Sequence, residues 1–119
     1  MKGLVMNITE KSEGDISQIY LDGRFDADTC GEVEDFIRKK ISEAGEYRFI
    51  LDMENVPFIA SAGLRVVLVF AKELRNHQGD LRLTTLQTNV NRVFEISGLN
   101  NVLRIFDDMK TATQSFSDE

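Results

Sequence analysis

The sequence predicts a single α/β domain built on a mixed β-sheet, with an antiparallel N-terminal pair of strands, later parallel strands and about four helices. Three observations carry this. Two short strand-like runs open the chain close together, apolar strand runs then alternate with helix-period segments, and no repeat, low-complexity tract or linker divides the 119 residues. We take 1–119 as one domain, ordered over about 4–116 with a frayed tail at 117–119.

The first two strands are expected from Leu4 to Thr9 and from Ile16 to Asp22, joined by a polar segment ending in Gly14-Asp15. Ile19 and Leu21 alternate with polar neighbours, and so short a connection makes the pair antiparallel. Asp26 or Asp28 then starts a helix with the apolar stripe Cys30, Val33, Ile37, Ile41 and Ala44, flanked by Phe36 and stopped by Gly45. The run Tyr47 to Met53 reads as a strand buried on both faces, with Pro57 just beyond it. A helix follows, with Ser61 at its N-cap and Leu64, Val67, Leu68, Ala71 and Leu74 as its core stripe. Gly79 breaks the chain before a strand over Leu81 to Leu86. A shorter helix through Val90, Val93, Phe94 and Ile96 ends at Gly98, Leu103 to Phe106 forms a last strand, and Met109 to Phe116 a terminal helix. Crossovers between the parallel strands are expected to be right-handed.

Composition excludes several functions. A net charge of −6 is the wrong sign for a nucleic-acid footprint, so no nucleic-acid partner is expected. One cysteine, Cys30, cannot form an internal disulfide and points to a reducing compartment; it lies on the apolar stripe and is assigned to the core. No metal is expected, because no paired Cys/His spacing is present, and metal binding by the acidic loops at 22–28 and 52–54 is only a weak alternative in an acidic chain. Neither G-x-x-x-x-G-K-[ST] nor G-x-G-x-x-G occurs, so no nucleotide or other cofactor is expected. No apolar run reaches the ~18 residues of a membrane span and no signal-peptide core follows Met1, which places the domain in the cytoplasm without membrane insertion. The one histidine, His77, lies about 24 Å from Ser61 along the same helix, too far to act as its base. It is assigned to the last turn of that helix, and the chain is read as having no catalytic residue.

Ser61 is the residue with the most chemistry on offer. A serine at a helix start is exposed and lies beside free backbone N–H groups, so it suits a phosphate; it equally suits a plain structural cap. Asp22, Asp26 and Asp28 in one loop and Asp52 and Glu54 in another are expected at the same edge of the sheet. Val66, Val69 and Phe70 fall off the stripe of the Ser61 helix. This extra apolar surface is covered by a neighbouring helix or docks a partner, and in the second case a phosphate on Ser61 would disrupt docking.

Four motifs in order resemble the STAS domain of bacterial anti-sigma factor antagonists across nearly the whole chain. They are Leu21-Asp22-Gly23-Arg24-Phe25-Asp26; the strand ending Leu51-Asp52-Met53; Val56-Pro57-Phe58-Ile59-Ala60-Ser61-Ala62-Gly63-Leu64; and Val93-Phe94-Glu95-Ile96-Ser97-Gly98-Leu99. The third is similar to the family signature hydrophobic-Asp-Ser-(Ser or Thr)-Gly-Leu, with Ala60 in place of the aspartate and Ala62 in place of the second hydroxyl residue. The resemblance implies a partner-switching regulator that binds an anti-sigma factor acting as a serine kinase, is released when that kinase phosphorylates Ser61, and is reset by a phosphatase. The implied docking face comprises Arg24, Phe25, Asp26, Asp28, Ile59, Ala60, Ala62, Gly63, Arg65, Val66 and Val69. The alternative is a non-phosphorylated scaffold or transport-associated interaction domain, and a weak homo-oligomer is left open.

Overall fold

The structure, a computed structural model, describes residues 5–117. Its elements are β1 (Asn7–Glu13), β2 (Ile16–Asp22), α1 (Cys30–Ala44), β3 (Arg48–Asn55), α2 (Ser61–Arg75), β4 (Asp80–Thr84), α3 (Thr88–Ser97), a short 3-10 turn (Leu99–Asn101), β5 (Ile105–Phe106) and α4 (Met109–Ser117). The five strands lie in one sheet in the order β1-β2-β3-β4-β5. β1 and β2 are antiparallel, and the other neighbours are parallel, with Ile19 beside Leu51 and Leu51 beside Leu83.

Alternation along the strands divides the core in two. Ile19, Leu21, Phe49, Leu51, Met53, Leu81 and Leu83 pack with Val33 and Ile37 of α1, with the inner face of α2, and with Val90 and Phe94 of α3. On the opposite face Ile16 and Ile50 pack with Ala112 and Phe116 of α4. That second face also buries charge. Asp80 accepts hydrogen bonds from Arg75 Nε and Arg82 Nε, both at 2.9 Å; Arg82 donates to Ser115 Oγ at 2.6 Å and lies 3.8 Å from the Phe116 ring centroid. Desolvation pushes the Arg82 guanidinium below its ordinary range, against the pull of Asp80.

Several boundaries differ from the sequence reading, each for a physical reason. β1 starts at Asn7 and runs on to Glu13; Leu4 and residues 118–119 of the expected tail lie outside the described residues. β1 is an edge strand with only Ile8 half-buried, so its polar residues gave no apolar pattern, while Glu10, Lys11 and Glu13 guard the edge against further pairing. α1 begins at Cys30 with Thr29, not Asp26 or Asp28, at its N-cap. Asp26 instead closes the preceding turn: its Oδ1 accepts the Asp28 N–H at 3.0 Å and its carbonyl accepts the Cys30 N–H at 2.8 Å. Ala44 is exposed, because the left-handed Gly45 ends the helix there; Cys30 is half-buried against the core rather than within it. His77 lies beyond α2, not in its last turn, and stacks on Tyr47 with ring centroids 4.7 Å apart. β4 stops at Thr84, since Thr85 turns to φ 61°, and the last strand shrinks to Ile105–Phe106 because Leu103 plugs the core instead.

Candidate functional site

The Ser61 loop is held by a backbone ladder that continues beyond the ends of β2 and β3. Gly23 N–H donates to Asn55 O at 3.0 Å, Phe25 N–H to Phe58 O at 2.9 Å, and Ala60 N–H to Phe25 O at 2.9 Å. Phe25 and Ile59 thus form one isolated parallel bridge with both side chains buried. From the far side, Gln87 Nε2 donates to Glu54 O and Asn89 Nδ2 to Pro57 O, both at 2.8 Å. Thr29 ties the second loop, with its Oγ1 donating to Arg24 O at 2.6 Å and accepting the Asp26 N–H at 3.0 Å.

Because side chains alternate about the Phe25–Ile59 bridge, Arg24, Asp26, Phe58 and Ala60 face the other way. The Arg24 guanidinium lies 4.2 Å from the Phe58 ring centroid, and its Nε is 3.3 Å from Asp26 Oδ2. Desolvation pushes the Asp26 carboxyl up, but hydrogen bonds from the Asp28 N–H, the Arg24 side chain and the Thr29 N–H outweigh it and hold the group below its ordinary range. Asp26 is therefore a charged carboxylate at neutral pH.

Ser61 is the first residue of α2, not its cap; Ala60 holds the N-cap position in extended conformation and has no side chain to offer. The Ala60 carbonyl accepts the Gly63 and Leu64 N–H groups at 3.0 and 3.1 Å. The Ser61 hydroxyl is exposed and makes no hydrogen bond among the described residues. This removes the plain-cap reading of Ser61.

The expected docking residues divide by burial. Arg24, Asp28, Arg65 and Val69 are exposed, and Asp26, Ala60 and Ala62 half-buried, around Ser61. Phe25, Ile59, Gly63 and Val66 are buried and shape the face from beneath. Val66 and Phe70, expected off the stripe, belong to the true core stripe of α2 with Gly63, Val67, Ala71 and Leu74, whereas Leu64 and Leu68 are only half-buried. The stripe is rotated because Gly63 meets the Phe25 carbonyl, and only that face of the helix can approach so closely. Of the extra apolar surface only Val69 remains open. Sequence reasoning missed Phe58, which is exposed beneath Arg24, and Gln87 and Asn89; the pairing of a loop arginine with a loop phenylalanine leaves no periodic signal.

Parallel register does bring the two acidic loops to one edge, with Tyr20 opposite Asp52 and Asp22 opposite Asn55. Their roles separate there. Asp52 is buried, its Oδ1 accepting the Glu54 N–H at 2.9 Å, and among the described residues no group of three or more His, Cys, Asp or Glu is placed to hold a metal. Desolvation raises the Asp52 carboxyl above its ordinary range, assisted by Glu54, and Tyr20 is raised in turn by desolvation and by Asp52. The folded state therefore binds the Asp52 proton more tightly than the unfolded chain. Its contribution to stability is fully present below the ordinary Asp range and is lost as pH rises through the raised value. Asp52→Asn keeps the acceptor for Glu54, so it is expected to match the parent at low pH and to exceed it in stability at pH 7. Urea unfolding across that range checks the sign; a variant less stable at pH 7 would show that the charge is favourable.

The fold and site define a class: a small α/β domain that presents an exposed serine at the first residue of a helix, next to a hydrogen-bonded loop at the C-terminal edge of its parallel strands. The family model of the STAS domain matches residues 7–112, and the chain belongs to that family. It is 43% identical over 74 residues to BtrV of Bordetella bronchiseptica, a protein named provisionally as an anti-sigma factor antagonist; that match spans 62% of this chain and 64% of BtrV. It is 31% identical over 104 residues to the anti-sigma-B factor antagonist of Listeria monocytogenes, spanning 84% of this chain and 90% of the relative. In structure it is similar to the phosphorylated form of the Bacillus cell fate determinant SpoIIAA, with a TM-score of 0.72 and 20% identity over 93% of this chain and 99% of that one. Among the described residues no helix is long and apolar enough to cross a membrane.

Proposed function

We propose that the protein is an anti-sigma factor antagonist that works as a cytoplasmic partner switch: unmodified, it docks an anti-sigma factor with serine-kinase activity, and phosphorylation of Ser61 by that kinase ends the complex. A phosphatase restores the docking form. The observation that carries this reading is the Ser61 hydroxyl, exposed, outside the N-cap position and held at the start of α2 directly after a loop clamped from both sides. Around it Arg24, Phe58, Arg65 and Val69 offer two cations and two apolar groups to a partner. A phosphate would add about two negative charges at the middle of a surface that must lose water on docking.

Ser61→Ala is expected to bind an anti-sigma factor kinase that the parent binds, with an affinity within about twofold of the parent's, and to take up no phosphate. Ser61→Asp is expected to bind at least tenfold more weakly, about 1.4 kcal/mol. Calorimetry supplies the affinities, and intact-mass measurement after incubation with kinase and ATP supplies the modification. Equal binding by the two variants, or a phosphate that persists in Ser61→Ala, would sink the reading.

A further inference from the structure

We infer that Arg65 is a built-in counter-ion for a phosphate on Ser61, so that modification withdraws the cation from the docking face as well as adding charge to it. This inference rests on Ser61 as the phosphoacceptor. Ser61 and Arg65 are four residues apart in α2, which runs unbroken from Ser61 to Arg75. Residues so spaced are neighbours on a helix surface, and long helical side chains favour directions toward the N-terminus, so the Arg65 guanidinium is within reach of a phosphate on the first turn. The intervening position nearest that path is Ala62, which is too small to obstruct it.

Arg65 is also available. Arg24, Arg38, Arg48, Arg75 and Arg82 each have a carboxylate within ion-pair distance, whereas Arg65 is exposed and makes no ion pair, hydrogen bond or ring contact among the described residues. Glu34 of α1 lines the same shallow groove but does not reach ion-pair distance. Arg24, the other cation near the serine, is already engaged with Asp26 and the face of Phe58. A phosphate dianion on Ser61 therefore meets one uncommitted guanidinium, able to donate two parallel hydrogen bonds to its oxygens.

The test uses the full chain with phosphoserine inserted at position 61 during translation, so it is independent of whether any kinase accepts the site. Phosphorus NMR titration reads the second ionisation of the phosphate in the parent, in Arg65→Gln and in Arg24→Gln, with circular dichroism confirming that each is folded. Arg65→Gln is expected to raise that pKa by about half a unit, the size of an exposed ion pair, and Arg24→Gln by less than half as much. An unchanged pKa in Arg65→Gln, or an equal rise in Arg24→Gln, would overturn the assignment. Failure of the partner switch itself would appear instead as kinase binding that the inserted phosphate leaves unchanged.

Discussion

Gly63→Ala is expected to destabilise the protein by about 2–3 kcal/mol and to weaken partner binding at least tenfold. Gly63 is buried on the core face of α2, and a Cβ there would stand 2.7 Å from the Phe25 carbonyl oxygen, 2.9 Å from Phe25 Cδ1 and 3.0 Å from Ile59 Cγ1. None of these can yield cheaply. The carbonyl accepts the Ala60 N–H that fixes the loop, and the two side chains are the buried halves of the bridge beneath it. Relief therefore requires α2 to move away from the loop, carrying Ser61 and Arg65 with it. Gly31→Ala is the matched control: its Cβ would meet nothing within 4 Å and the site is an exposed helical position, so it should be neutral or stabilising by up to about 1 kcal/mol. Urea unfolding and calorimetry on the two variants give both numbers. Parent-like affinity in a destabilised Gly63→Ala would mean that the loop geometry does not govern docking.

Asp80→Ala should be the more damaging change to the fold itself, at about 3–5 kcal/mol. The carboxylate receives Arg75 Nε, Arg82 Nε and the Leu81 N–H, each at 2.9 Å. Its removal takes the Asp80 carboxylate away from the Arg82 guanidinium, whose side chain is only 3% exposed. Ser115 and Phe116 of α4 also depend on the position of that guanidinium, so faster amide exchange is expected in α4 before α2 or α3. Asp80→Asn retains an acceptor but loses the charge and should fall between parent and alanine. A loss below about 1 kcal/mol for the alanine variant would show that water reaches Arg82 and replaces the carboxylate.

Much of the fold was legible because the relevant signals are local. Runs such as Phe49-Ile50-Leu51, the helical spacing of Val33 and Ile37, and the stops at Gly45 and Gly98 reflect periodicity and backbone permissiveness within a few residues of chain. The Ser61 motif was legible for the same reason, since it is contiguous. β1 was less so: an edge strand satisfies its neighbour through the backbone and needs almost no apolar residue, so Glu10 to Glu13 carried no strand pattern.

The sequence by itself determined the order of the elements, the family, and the position of the serine proposed as the switch. Tertiary structure alone decided what that serine is free to do. Apolar residues nearly encircle the first turns of α2, so two stripes were compatible with helical spacing; the close approach of Gly63 to Phe25 selected the one that buries Val66 and Phe70 and leaves Val69 and Arg65 outside. The hydrogen bond from Ala60 to Phe25, a residue 35 positions earlier, placed the cap one residue before Ser61 and left the hydroxyl unspent. Such long-range contacts have no period in the chain, because they depend on which backbone meets which only after the strands have paired.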